Sequence, residues 1–300
     1  MSHAIATAPA RTSSAGTRGL SFIGVLRSES IKFWTLLSTK LLLAVTFVAM
    51  VGIGSLAAWL RATAFTEMTR NVTGPNGEVV PSGLTLQQVL DNPPRGLEIS
   101  GIPVAGLQIG VLILGALAVL FIASEYGTGM IRSTFAAVPG RIQAFLAKAV
   151  VLVVVSYVLT LVAAFVTFAL AVPILNGYNI EISLSQNGVL QGILLGGLYV
   201  AGVAVIGLSL GVLLRSSAGA IIVVMALMFV LPFAAQAAQL IPGEFWKHVQ
   251  EYLPSFAGGR MLEVTQINGL IDPGVGGLIF LAWIALFTIP AMIVLKRRDA

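Results

Sequence analysis

The sequence predicts an all-α integral membrane protein: six transmembrane helices, an N-terminal amphipathic helix, a short helix in the loop between spans two and three, and a short outer interfacial helix. Three observations predict it. Hydrophobic residues make up 57% of the 300-residue chain and charged residues only 10%, against about 25% charged in a soluble chain, so there is too little polar surface to coat a globule. Mean hydropathy is +0.96. Six apolar runs, at about 41–60, 102–123, 149–172, 189–214, 218–238 and 275–295, each reach the roughly 20 residues that cross a bilayer as a helix. Barrel strands would be shorter and dyad-patterned.

Residues 1–19 are rich in Ala, Ser, Thr, Gly and Arg without apolar periodicity and read as a disordered tail. Because the first apolar run is span-length and starts late, the tail is not expected to be a cleavable signal. Residues 20–300 form the six-span domain. From Phe22 to Trp34, the apolar Phe22, Ile23, Leu26, Phe33 and Trp34 share one helical face opposite Ser21, Gly24, Ser28 and Lys32, which predicts an interfacial helix feeding span one. Glu29 on its border is hard to explain by lipid alone. The loop at 61–101 carries Pro75, Pro81, Pro93 and Pro94 and reads as irregular.

After span two, the Gly127/Gly129 break is followed by Ile131, Phe135 and Val138 at i, i+4 and i+7, with Arg132 beside them and Pro139-Gly140 as a stop. This is a short helix hung under the membrane, with exposed apolar residues and a basic flank suited to a soluble partner. Lys40 and Lys148, at the inner ends of spans one and three, are expected to snorkel to the interface. Gly192, Gly196, Gly207 and Gly211 line one side of span four, where helix backbones can approach closely. Residues 215–217 form a tight inner turn. Beyond span five, Phe245, Val249, Tyr252 and Leu253 recur at helical spacing, with Pro254 as the stop, predicting a short helix at the outer interface.

Cytoplasmic loops retain an excess of Lys and Arg. With both termini cytoplasmic, twelve of the seventeen basic residues fall inside and nine of the twelve acids outside. The pI near 9.8 then reports topology in the cytoplasmic (inner) membrane and not nucleic-acid binding, and Lys296-Arg297-Arg298 is a stop-transfer anchor.

Several chemistries are excluded. There is no cysteine, so no disulfide framework and no thiolate metal site. Gly207-Leu-Ser209-Leu-Gly211 fits a nucleophile pattern but lies inside a span with no histidine in reach. No phosphate-binding loop with its lysine occurs, so the chain is not expected to be an enzyme or to hydrolyse ATP alone. No ionisable side chain is expected at membrane depth, which disfavours an ion-coupled carrier or channel.

The sequence resembles the permease subunits of type-2 ATP-binding-cassette exporters, in particular the compact six-span group common in actinobacteria. The resemblance covers about residues 20–300. It rests on Leu26-Arg27-Ser28-Glu29 before span one, Glu125-Tyr126-Gly127-Thr128 with Arg132 and Pro139-Gly140-Arg141 after span two, Leu214 to Gly219 between spans four and five, Tyr252-Leu253-Pro254-Ser255, and the Arg-Arg-Asp299 ending. Ser30-Ile31 departs from the Trp-Thr of many relatives. The resemblance implies a homo- or heterodimer of permeases with separate ATPase subunits that hold the ATP and Mg, this chain binding no cofactor itself. It implies a coupling helix within 124–141, involving Glu125, Tyr126, Gly127, Thr128, Ile131, Arg132, Phe135 and Arg141, and a connecting helix that includes Leu26, Arg27, Glu29 and Lys32. Export of a drug, lipid or hydrophobic peptide is the expected function; an ion-coupled carrier or channel and a membrane sensor or scaffold without transport are the alternatives.

Overall fold

The computed structural model describes residues 21–73, 79–80, 83–94, 96–138, 140–186, 188–263 and 270–297; the tail assigned to 1–19, Pro139 and Asp299 lie outside them. The described chain is overwhelmingly helical, and six of its helices are long and apolar enough to cross a membrane. They are compatible with a multi-pass membrane protein.

Helix α1 (Phe22–Thr35) starts at Ser21, whose hydroxyl accepts the Gly24 amide at 3.3 Å and so satisfies one orphan donor of the first turn. Leu36, in extended conformation, separates it from α2 (Leu37–Thr69). At 33 residues α2 outruns the expected first span and takes in the start of the segment read as irregular. Beyond it, β1 (Val72–Thr73) and β2 (Val79–Val80) form a two-residue antiparallel ladder. Helix α3 (Leu86–Asp91) then opens on a reciprocal capping box between Thr85 and Gln88. A 3-10 turn at Ile99–Val104 leads into α4 (Leu107–Gly127). Among its described residues the 61–101 loop thus contains the end of α2, α3 and the start of the 3-10 turn, which corrects its reading as irregular throughout; Pro93 and Pro94 stand in irregular chain as expected, and Pro75 and Pro81 lie outside the described residues.

Gly129, at φ +73°, turns the chain into α5 (Met130–Ala137). There a residue with a Cβ would be strained. Helix α6 (Arg141–Asn176) returns, and α7 (Val189–Leu214) is the most enclosed span. Arg215 adopts the left-handed conformation (φ 51°) in the turn to α8 (Ser217–Met225). The fifth span continues as a π turn at Ala226–Val230 and then α9 (Leu231–Ala238). Pro232 explains the widening: without an N–H it leaves a carbonyl of the preceding turn unpaired, and the ladder shifts around it.

Helix α10 (Glu244–His248) and a 3-10 turn at Val249–Tyr252 occupy the predicted outer helix. Pro254 does not simply stop it. It is the first residue of α11 (Pro254–Met261), where a missing N–H costs nothing. Helix α11 wedges against α12 (Pro273–Arg297): a Cβ on Gly276 would stand 2.8 Å from the Ala257 carbonyl oxygen, and one on Gly258 would strike the Tyr199 ring.

The main apolar cluster joins α2, α4, α6, α7, α8 and α12, with α4 against α7 as its most extensive pairing. A second cluster, around Phe65, Ile102, Leu175 and Val189, closes the end away from α1. A third, smaller cluster of Val25, Val138, Ala144 and Ala147 seats α1 and the α5 segment on α6.

Candidate functional site

The buried residues of α1 are Val25, Glu29 and Phe33. They stand four apart, so one stripe faces the bundle, and a carboxylate sits at its centre. Of the expected apolar face, Phe33 belongs to this stripe, Leu26 is half-buried, and Phe22, Ile23 and Trp34 are exposed, as is Arg27. On α6 the enclosed stripe Ala144, Lys148, Leu152 likewise carries a charge in its middle. Glu125 lies near the end of α4, where the helix is enclosed on most sides.

These side chains meet. The Lys148 ammonium donates to Glu29 Oε2 at 2.6 Å and to Glu125 Oε1 at 2.7 Å, and lies 4.3 Å from the centre of the Phe121 ring. Lys32 donates to Glu29 Oε1 at 2.8 Å, to Glu125 Oε1 at 3.4 Å and to Thr134 Oγ1 on α5 at 3.3 Å. Lys148 is 1% exposed and Glu29 and Glu125 2% each. Snorkelling of Lys148 is therefore overturned, and buried charge is present at the ends of the span helices, where Glu125 and Lys148 stand. Burying an ammonium alone would cost several kcal/mol, but two carboxylates, one ring face and a second ammonium compensate one another. Lys40 is exposed, as snorkelling requires. Glu125 takes its partners from α1 and α6 and none from Arg132.

Burial acts to lower the Lys32 pKa, but the hydrogen bond to Glu29 and the charge of Glu125 outweigh it, and the value is raised above 10.5. Lys32 holds its proton below the ordinary lysine range, and its pairing contributes stability there for as long as its carboxylate partners are ionised. On the alkaline side that contribution is lost as pH rises through the raised value.

The cluster ties four elements together: α1 through Glu29 and Lys32, α4 through Glu125, α5 through Thr134, and α6 through Lys148. The turn from α4 to α5 is fixed locally, since Thr128 donates from both its amide (3.0 Å) and its hydroxyl (2.9 Å) to the Ser124 carbonyl oxygen; Gly127 is exposed. Within α5, Ile131 and Thr134 are buried and Phe135 half-buried with the Arg141 guanidinium 5.5 Å from its ring centre. Ile131 is thus spent on the chain's own core, contrary to its expected role as an outward anchor. The outward face of α5 carries Met130, Ser133 and Ala137, with Arg132 beside them. Arg141 also reaches the Leu295 carbonyl oxygen at 3.5 Å, linking the start of α6 to the end of α12.

Deeper in the spans the buried polar groups are uncharged: Thr46, Ser156, Thr160, Thr167 and Ser209. Ser209 donates to the Val205 carbonyl or shares a proton with Thr288 at 3.2 Å, a packing role and not a nucleophile's. Among the described residues no group of His, Asp and Glu could hold a metal ion.

Sequence reasoning missed the joint placement of Glu29 and Lys148. A readable signal was present, because each lone charge falls four residues from apolar positions on both sides. No family model and no curated protein matches the sequence.

Proposed function

We propose that the chain is the membrane-spanning permease subunit of a type-2 ATP-binding-cassette exporter, working as a homo- or heterodimer in the cytoplasmic membrane with ATP and Mg held by a separate ATPase subunit. The observation that carries this reading is the Glu29–Lys148–Glu125–Lys32 cluster. A pump driven by an external ATPase needs a stiff connection between the surface that receives the push and the spans that move. Here the surface helix α1 and the loop helix α5 are bonded to the ends of α4 and α6 by charged contacts in a shielded environment, where such contacts are strongest. A push on α5 reaches Lys32 through Thr134, and reaches both spans through Glu125 and Lys148.

The same cluster is the one feature that favours an ion-coupled carrier. Its position argues against that: Glu125 is two residues from the end of α4 and Lys148 seven from the start of α6, with only uncharged polar groups towards the middle of the bundle. The exported cargo is a drug, lipid or hydrophobic peptide, a class that suits the apolar, glycine-lined bundle.

The test is reconstitution with a cassette ATPase encoded beside the chain, reading ATP hydrolysis and cargo flux together. Lys32→Met is expected to keep ATPase binding and lower flux per ATP, with Lys296→Gln as the unaffected control. ATPase capture without any ATP-driven flux in the wild type would assign the chain to a scaffold instead.

A further inference from the structure

We propose that the chain binds a phosphate-type oxyanion in a cleft at its α1 face, between the end of α4, the start of α5 and the turn from α7 to α8. The cleft, about 410 Å³, is lined by Tyr126, Gly129, Ile131, Arg132 and Arg215. Among the described residues no carboxylate lines it. The nearest acid in sequence, Glu125, gives its Oε1 to Lys148 and Lys32 while its Oε2 is buried without a hydrogen-bond partner; the cluster's two carboxylates are matched by two ammoniums, so it carries no surplus negative charge to neutralise the two arginines.

Among the described residues neither Arg132 nor Arg215 forms an ion pair. The Arg215 guanidinium lies 5.2 Å from the centre of the Tyr126 ring, and its Nε is shielded from solvent with no hydrogen-bond acceptor. The Tyr126 hydroxyl is equally shielded and equally unpartnered. Buried donors are almost always satisfied, and two orphan donors at one cleft indicate an acceptor that the described residues do not supply.

The donor set identifies the acceptor's class. Guanidinium groups match planar and tetrahedral oxyanions through paired N–H donors. Two guanidiniums and a phenol contributed by different elements suit a tetrahedral phosphate group, whose oxygens point in several directions, better than a planar carboxylate. The site is built before the ligand arrives: Arg215 is fixed in a left-handed turn (φ 51°) with its amide bonded to the Gly211 carbonyl oxygen at 3.1 Å, and its side chain rests on an aromatic ring. Since α4 and α7 both end here, the phosphate is either the headgroup of a phospholipid in the adjoining leaflet or part of a soluble compound. The proposal requires no ATPase partner.

The test uses the full chain purified in detergent. Retention of phosphatidylglycerol is compared with retention of diacylglycerol by native mass spectrometry, and binding of inorganic pyrophosphate is followed by calorimetry. Preference for phosphatidylglycerol identifies a headgroup site, and pyrophosphate binding a soluble one. In whichever arm is positive, Arg132→Gln and Arg215→Gln should each weaken binding about tenfold or more, the loss of a charge-assisted contact. Tyr126→Phe keeps the ring under Arg215 and should weaken it by a smaller factor; Arg297→Gln should leave it unchanged. Arg132 is exposed, so its variant cannot fail for want of folding. Absence of both preferences, or an equal loss in Arg297→Gln, overturns the proposal, because the arginines would then act only as diffuse surface charge.

Discussion

Lys148 stands between two carboxylates, and the consequences of removing it differ from those of removing them all. Lys148→Met leaves Glu29 and Glu125 buried with Lys32 as their one remaining cation, and removal of one partner from a buried pair costs about 3–5 kcal/mol. Thermal unfolding of the purified chain should register a large drop, whereas Lys40→Met, at an exposed position, should change little. Adding Glu29→Gln and Glu125→Gln to Lys148→Met should recover much of the loss, since no fully buried charge then remains uncompensated; Lys32, whose side chain is 31% exposed, can turn its ammonium to water. If the triple variant is as unstable as the single one, packing and not charge explains the effect. Tyr199 makes a contrasting case: its hydroxyl is buried without a partner, so Tyr199→Phe should be neutral or stabilise by up to about 1 kcal/mol. Such residue-scale chemistry was only half legible. Glu125 was readable as a paired carboxylate from its place at a span end, but its partner was not, because sequence gives no rotation of α6 about its axis and a lysine at a span end reads equally well as lipid-facing.

At the scale of elements, α4 and α7 approach closely because glycine permits it. A Cβ on Gly207 would stand 2.6 Å from the Gly115 carbonyl oxygen, and one on Gly211 2.6 Å from Ile122 Cγ2, while one on Gly196 would press Leu107 at 3.0 Å. Gly192 differs, with nothing nearer than 3.8 Å. Backbone cannot retreat as a flexible side chain can, so Gly207→Ala should cost about 1–3 kcal/mol by overpacking, and Gly192→Ala should be tolerated. Melting temperatures of the two variants, measured side by side, check the contrast. The spans themselves were legible from apolar run length, because hydrocarbon thickness dictates it. The connectors were less so: prolines around 75–94 suggested irregular chain, yet the Thr85–Gln88 capping box marked α3, and Pro254 served as a helix start where its stop signal was the more familiar use.

For the whole molecule, the belt of exposed apolar side chains on the spans, such as Val48, Leu56, Val154, Leu198, Ile222 and Leu281, has no counterpart in a water-soluble protein, and a bilayer is the solvent that makes it favourable. Six crossings put consecutive connectors on opposite sides. Gln87 on α3 and Ser133 on α5 are both exposed and are separated by one span, α4, so they must face different compartments whichever way the chain is inserted. Charge is expected to set the side. The α1 face carries Arg27, Lys32, Lys40, Arg132, Arg141, Arg215, Lys296 and Arg297, and basic residues close to span ends are retained in the cytoplasm. An impermeant thiol reagent applied to intact cells should therefore label Gln87→Cys and leave Ser133→Cys unmodified until the membrane is permeabilised; the chain's lack of cysteine removes any background. Labelling of both in intact cells would break the six-span arrangement, and labelling of Ser133→Cys alone would invert it. Inversion would also place α1, α5 and the charge cluster on the side away from cytoplasmic ATP, leaving the exporter reading without a surface on which an ATPase could act.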